Sequence, residues 1–357
     1  MKIEDFELER WFAQYEHTAD IMLAESGIRS LDSEMFDLNL GKLGYVIPTN
    51  GNPTLRKKIG KRYKRSKDEV LFTCGTQEAN FLVFISILEK GDHAITVTPT
   101  YQALHSIPRS FCELSKVWLK PPDWKLDIEK IEEAITKDTK LIILNNPNNP
   151  TGKYHPKEKV KALLEIAEDN DTYLLCDEVY RLLADDPLPP VASMNDRGIS
   201  TTSLTKSYGL AGTRFGWIAG PKNIIDSCWK WKDYTTISPS ILGQHIAKQV
   251  FEEMEKKILD ENRKLAKNNK KIVQDFLDKN GLRWYDPVGV NGFVTIPDSF
   301  DSSVDFCKRV VEETSVVLAP GKLFGYDEYF RIGFGLPTDG LKEGLNRLDD
   351  FIQENKA

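Results

Sequence analysis

No stretch of ~18 apolar residues occurs in this chain of 357 residues, so nothing in it reads as a membrane-spanning helix. The charged start Met1-Lys2-Ile3-Glu4-Asp5 is not a signal peptide, and the cytoplasm is the expected compartment. Cysteine is scarce. Five residues, at positions 74, 112, 176, 228 and 307, are odd in number and scattered, with no Cys-x-x-Cys. Neither a disulfide framework nor a zinc site is indicated. Cys74 and Cys176 read as small buried packers. The five histidines (His17, His93, His105, His155, His245) show no metal spacing, so no metal is expected, and His105 is expected to be structural. The net charge of −6 comes from interleaved acids and bases, which argues against nucleic acid as the main partner. Lysine-rich runs at 57–64 and 256–271 read as solvated helix faces. No linker, repeat or low-complexity segment divides the chain.

What is present is alternation. Helical patterns at 77–89 and 156–168 alternate with apolar runs at 93–97, 141–144 and 173–176, as in a mostly parallel sheet flanked by helices. A long helical stretch at 240–277 follows. Strand-like 292–296, helix-like 303–314, strand-like 330–332 and a last helix at 340–353 then make a small α+β unit.

The polar residues that end these runs carry the chemistry. Ser203-Leu204-Thr205-Lys206 leads to Arg214 through a glycine-punctuated stretch ending at Gly216. A lysine amine attacks an aldehyde and holds it as a Schiff base when its environment depresses its pKa. Ser203 and Arg214 are suited to grip a phosphate, Arg214 in a two-pronged fashion. An aldehyde that carries a phosphate describes pyridoxal 5'-phosphate. The apolar run at 141–144 empties into Asn145-Asn146-Pro147-Asn148-Asn149-Pro150-Thr151-Gly152, where an asparagine amide can donate to a phenolate oxygen. The run at 173–176 delivers Asp177, and Tyr180 follows. An aspartate facing a pyridine nitrogen keeps it protonated and makes the ring an electron sink. A helix N-cap explains Asp177 equally well when that segment is taken alone. Val70 to Asn80 reads as strand, glycine turn and helix start, and a helix N-terminus binds phosphate through free amides.

Together these segments, from about residue 41 to 336, resemble the aminotransferase class I/II enzymes of the aspartate aminotransferase superfamily, fold type I. The resemblance implies an α/β fold with a three-layer large domain, its sheet mostly parallel, plus a small α+β domain. It implies residues 41–270 for the large domain, with 1–40 and 271–357 for the small one. It implies a cytoplasmic homodimer that moves an amino group between an L-amino acid and a 2-oxo acid through a Lys206 Schiff base. Lys206, Asp177 and Tyr180 match the catalytic positions. The phosphate grip falls to Ser203 and Arg214, helped by Gly75, Thr76 and Gln77. Asn149 and Tyr180 match the pair on the ring hydroxyl, Tyr101 the stacking aromatic, and Arg331, with Asn149, the substrate carboxylate site. Tyr45 matches a tyrosine that reaches the neighbouring subunit's phosphate. It lies six residues before Gly51, where the family has five, which puts its role in doubt.

Two further expectations concern substrate and class. The segment at 229–240 holds two tryptophans and no arginine where relatives acting on dicarboxylates carry one. Lysine does not reproduce that planar fork, so aspartate is expected to be a poor donor and an aromatic, neutral or phosphorylated side chain is favoured. The tryptophans serve equally well as interface packing. Decarboxylation, β-elimination and cyclisation remain open on the same scaffold. Leu8-Glu9-Arg10-Trp11 and Leu23-Ala24-Glu25-Ser26-Gly27-Ile28 faintly resemble a subgroup that includes a cyclising capreomycidine synthase. A transcription-regulator sensor would need a further basic helix-turn-helix domain of ~70 residues, for which these residues leave no room.

Overall fold

Strand residues here pack on two sides at once. In β5 (Thr139–Asn145), Leu141 and Ile143 join one core while Ile142 and Leu144 join another, the period-2 alternation of a sheet covered on both faces. The computed structural model describes residues 2–356. From the N-terminus come α1 (Glu7–Tyr15), β1 (Ile21–Met22), α2 (Pro53–Arg62), β2 (Val70–Thr73), α3 (Gly75–Ile87), β3 (His93–Thr98), α4 (Ala103–Phe111), β4 (Glu113–Trp118) and α5 (Ile128–Ala134). After β5 follow α6 (Lys157–Asp169), β6 (Tyr173–Asp177), β7 (Gly198–Ser203), β8 (Gly216–Ala219), α7 (Lys222–Lys232), α8 (Ile241–Gln249) and α9 (Glu255–Asn280). The remainder is β9 (Asn291–Thr295), α10 (Ser303–Thr314), β10 (Val316–Val317), β11 (Ala319–Pro320), β12 (Tyr329–Gly333) and α11 (Thr338–Glu354).

The seven-stranded sheet has the order β2-β8-β7-β6-β5-β3-β4, and β8 alone runs against its neighbours. Helices cover both faces, which is the mostly parallel α/β architecture expected from the alternating pattern. A three-stranded antiparallel sheet, β11-β12-β9, packs with α10 and α11 around a second apolar core. The helical stretch expected at 240–277 is present as unbroken helix over 241–280. One wider turn, Val250–Met254, joins α8 to α9, and it buries Val250 and Phe251. None of the described helices is long and apolar enough to cross a membrane.

The N-terminal segment ties the two sheets together. β1 pairs with β10, and α1 touches both bodies. The buried Trp11 donates its indole N–H to the Leu318 carbonyl at 2.8 Å, while the Glu7 amide donates to Gln102 Oε1 at 2.9 Å. We expect Trp11→Ala to cost roughly 3–5 kcal/mol, since it opens a cavity and orphans a buried carbonyl. Denaturant unfolding checks the magnitude. Hydrogen exchange should show the loosening at residues 7–15 before the central strands, and an unchanged melting curve would contradict this account of how α1 is held.

Candidate active site

Three neighbouring strands end at one place. Asn145 closes β5, Asp177 closes β6 and Ser203 closes β7, and the register sets Asn145 beside Asp177 and Asp177 beside Thr201. Parallel strands present their C-terminal ends on one edge, and here that edge opens into a cavity of about 560 Å³. The cavity walls include Thr76, Gln77, Tyr101, Asn149, Asp177, Tyr180, Ser203, Lys206, Arg214 and Arg331. Every cofactor and substrate residue expected from the sequence is therefore gathered here, apart from Gly75 and Tyr45. Gly75 lies against the wall, since a Cβ on it would sit 2.7 Å from Arg214 Nη2. Its φ of +76° is a second reason for glycine at this turn. Tyr45 is 81% exposed and outside the cavity of its own chain.

Asp177 is buried. Its Oδ2 accepts from Asn80 Nδ2 at 2.9 Å, and its Oδ1 accepts from the Val179 amide at 3.2 Å. Asn80 is in turn oriented by the Thr201 hydroxyl, which donates to its Oδ1 at 2.6 Å. Burial pushes the carboxyl up to about 6, although Asn80, Val179 and Lys206 hold it down. The bond to Val179 is a local turn contact, and Asp177 is not a helix N-cap, since the next helical turn begins after Tyr180. Asn80 was not singled out from the sequence. Its signal is a polar residue, four positions after Thr76, on a helix that is otherwise apolar through Phe81, Leu82, Val83 and Phe84.

Lys206 has neighbours that its own segment does not show. Its environment does not depress its pKa. Burial pushes it down, but Tyr180 and the Glu25 carboxylate outweigh burial, and the ammonium is favoured beyond that of a free lysine. Nζ donates to Glu25 Oε1 at 3.4 Å and to Ser26 Oγ at 3.2 Å. Glu25 is correspondingly lowered, chiefly by Lys206. The 23–29 segment reaches this position because glycine lets it lie flush on the end of β12. A Cβ on Gly333 would fall 1.7 Å from the Glu25 carbonyl.

Arg331, 1% exposed, donates from Nη1 to Asn149 Oδ1 at 2.9 Å and from Nη2 to the Ala24 carbonyl at 2.7 Å. Its Nε has no partner. Because an arginine only donates, this bond fixes Asn149 with its oxygen on Arg331 and leaves the amide NH₂ free to donate. Tyr101 donates its hydroxyl to Glu9 Oε1 at 2.8 Å and packs on Phe6. Burial pushes its phenol up, reinforced by Glu9. His105 stays outside the cavity walls, bonded to Ser106, and burial pushes it down to about 4, in keeping with a structural role. Cys176 is buried as expected, whereas Cys74 is only half-buried because it sits at the turn into α3. Trp229 and Trp231 lie outside the cavity walls, Trp229 donating to Thr49 Oγ1 at 3.0 Å. No cluster of metal-ligand side chains exists among the described residues.

Whether a phosphorylated pyridine aldehyde suits these walls can be tested on the unpaired atoms. α3 starts at Gly75 without a side-chain cap from Cys74, whose own amide donates to Glu78 Oε2 at 2.6 Å, and the Gly75, Thr76 and Gln77 amides of the first turn remain for a ligand. Thr76 Oγ1 is buried there without a partner, with Ser203 and the Arg214 guanidinium close by. That set suits a phosphate dianion. The buried Asp177 carboxylate suits a protonated ring nitrogen, and the free Asn149 NH₂ suits a ring oxygenate. The residues fit the group.

Comparison with known proteins agrees with this geometry. A family model described as aminotransferase class I and II matches residues 33–348. An aspartate aminotransferase from Thermotoga maritima is 28% identical over 88% of this chain and 85% of its own length. A capreomycidine synthase from Streptomyces vinaceus is 27% identical over 91% of this chain and 83% of its own. A solved PLP-dependent aminotransferase from Streptococcus suis superposes with a TM-score of 0.95, at 31% identity and over 100% of both chains.

The buried carboxyl has a pH signature in the cofactor-free protein. An acid raised from its ordinary 3.8 to about 6 leaves the fold at full stability below the lower value and weakens it as pH rises through the upper one. Asp177→Asn removes that cost. We expect the variant to gain up to roughly 3 kcal/mol over the parent at pH 8 and nothing at pH 3. Melting curves of both cofactor-free proteins across that range are the measurement, and a pH-independent difference would count against the burial argument.

Proposed function

This chain belongs to the aminotransferase class I and II family, and on that premise we propose that it transfers an amino group between an L-amino acid and a 2-oxo acid. It is a PLP-dependent enzyme of that family, with pyridoxal 5'-phosphate as cofactor. The observation that carries the proposal is the convergence of Lys206, Asp177 and Arg331 on one cavity. When bound, the cofactor supplies an electron sink that acidifies the substrate's Cα–H. The protein does the rest. Thr76, Gln77, Ser203 and Arg214 anchor the phosphate, with Gly75 leaving room for the Arg214 guanidinium. Asp177, kept anionic by its donors and by the charge it faces, holds the proton on the ring nitrogen. Asn149 and Tyr180 donate to the ring oxygen, and Tyr101 lines the ring face. Arg331 takes the α-carboxylate in its planar fork. Lys206 would hold the cofactor covalently through Nζ, and its freed amine would take the Cα proton. To attack as a free amine it must first give up the proton that Glu25 favours.

Residues 41–270 form the large domain of this proposal, with 1–40 and 271–357 the small one. We further propose a homodimer. Leu43, Tyr45, Val46, Trp231, Tyr234 and Ile237 are exposed apolar side chains, and the Trp229–Thr49 bond joins the two segments that carry them. Such a patch calls for a partner, and a tyrosine there suits a role in the neighbouring site. The cytoplasm remains the proposed compartment.

One observation favours a second outcome on the same scaffold. The Leu23–Ile28 segment, which resembles a cyclase subgroup, puts Glu25 and Ser26 on Lys206 itself. Product analysis separates the two: a 2-oxo acid formed without loss of CO2 or ammonia means transamination.

Borohydride reduction of the holoenzyme should attach the cofactor to Lys206 and to no other lysine. Lys206→Ala should lose about 10⁴-fold or more in turnover while still folding and binding the cofactor. Asp177→Ala should lose about 10²–10³-fold in kcat, the magnitude of one preorganised electrostatic group. Labelling of another lysine, or near-normal turnover in Asp177→Ala, would refute these assignments. Sedimentation at assay concentration should show a dimer with an interface of more than ~2,000 Å², and a fully active monomer would rule it out.

A further inference from the structure

The cavity holds more carboxylates than the proposed chemistry uses. Its walls carry Glu9, Glu16, Glu25 and Asp177 against Lys206, Arg214 and Arg331. In the reading above, which this inference deepens and on which it rests, Arg214 is neutralised by the phosphate and Arg331 by the α-carboxylate. Asp177 serves the ring nitrogen and Lys206 is engaged at the reacting carbon. Glu9, Glu16 and Glu25 are then left with no cation of the cavity wall to face. All three come from the N-terminal segment, Glu9 on α1, Glu16 at its C-terminal end and Glu25 beyond β1.

Their positions fit a side chain leading away from the substrate's Cα. Glu25 and Arg331 are neighbours, since Arg331 donates to the carbonyl of Ala24 and lowers the Glu25 carboxyl. Arg331 also lies over the Phe12 ring of α1, at 5.7 Å from its centroid, so a substrate held by Arg331 abuts the face of α1 that carries Glu9 and Glu16. Glu9 is half-buried and fixed by the Tyr101 hydroxyl. Glu16 is exposed, with His17 at 3.4 Å as its nearest base. The described carboxylates do not come close enough together to hold a metal ion. Spread along one wall, they suit an extended organic cation instead. The buried Arg331, its Nε still without a partner, independently marks where such a ligand's carboxylate end is held.

We propose that the substrate is an α-amino acid with a cationic side chain, an ammonium or a guanidinium, and that Glu9 and Glu16 select for that charge. A phosphorylated side chain, favoured from the segment at 229–240, would be repelled. The poor use of aspartate expected from that segment now has a nearer cause in the cavity's own carboxylates.

Holoenzyme is tested with charge-differing isosteres: L-lysine against L-norleucine, and L-arginine against L-citrulline, following formation of the 2-oxo acid. We expect kcat/KM for at least one cation to exceed that of its neutral isostere by about tenfold or more. Glu9→Gln retains an oxygen for the Tyr101 hydroxyl and removes only charge. In the double variant Glu9→Gln/Glu16→Gln the preference should fall to within about threefold of unity, through KM rather than kcat. Equal use of cation and isostere by the parent, or an unaltered preference in the double variant, would overturn the inference while leaving transamination intact. If no amino acid yields a 2-oxo acid, the proposed function is what fails. Calorimetry on cofactor-loaded Lys206→Ala then still reads the charge preference directly, as tighter binding of L-lysine than of L-norleucine, and equal binding would refute it.

Discussion

A carboxylate taken out of water constrains this fold more than any other single group. Asp177 lies at the end of a central strand, and an unpaired buried charge would cost several kcal/mol. It is tolerated because Asn80 crosses from α3 to donate to it and because β7 supplies Thr201 to hold Asn80 in that orientation. α3 is thereby pinned to the sheet at Asn80. Four residues earlier on the same helix stands Thr76, so the uncapped helix start lies about 6 Å away along the axis. One rigid helix sets the distance between the buried Asp177 carboxylate, proposed to face a ring nitrogen, and the helix start proposed to hold a phosphate. In the proposed reading, the spacing between the groups that would hold the cofactor's two ends is built into secondary structure rather than left to loops.

The parts of this arrangement that were legible in the sequence share a cause. Asp177 and Ser203 each close a strand, and Asn149 and Lys206 follow in the loops just beyond β5 and β7, so apolar run and polar residue sit together in the chain. The parts that were not legible are contacts between distant segments. Glu25 meets Lys206 across 181 residues and Arg331 meets Ala24 across 307. No local period encodes such pairs. The direction of the Lys206 shift has the same origin, since burial pushes a lysine down while Tyr180 and, from a distant segment, the Glu25 carboxylate push it up. Segment 229–240 shows the opposite contrast. Its tryptophans are conspicuous in the sequence, yet they lie outside this chain's cavity, whereas the acids that do line it look like ordinary residues of an amphipathic helix.

The N-terminal helix gains its importance from where it is fastened. α1 is held to the small sheet's side by Trp11 on Leu318 and to the large sheet's side by Glu7 on Gln102. Arg331, rooted on β12, is clamped to the same segment through Ala24 and stacked over Phe12. Arg331 and the wall that would face the substrate's side chain therefore form one packed unit, which meets the loops beyond the strand ends through side chains, Arg331 on Asn149, Glu25 and Ser26 on Lys206 and Glu9 on Tyr101. Catalytic groups and selective groups thus stand on different supports. The strand-end residues are locked by register, where a one-residue slip would turn Asp177 to the opposite face of the sheet. The α1 residues are locked only by side-chain anchors, so exchanging Glu9 or Glu16 leaves the backbone bonds of the sheet untouched. A scaffold arranged in this way can change which amino acid it admits without disturbing the groups that act on Cα.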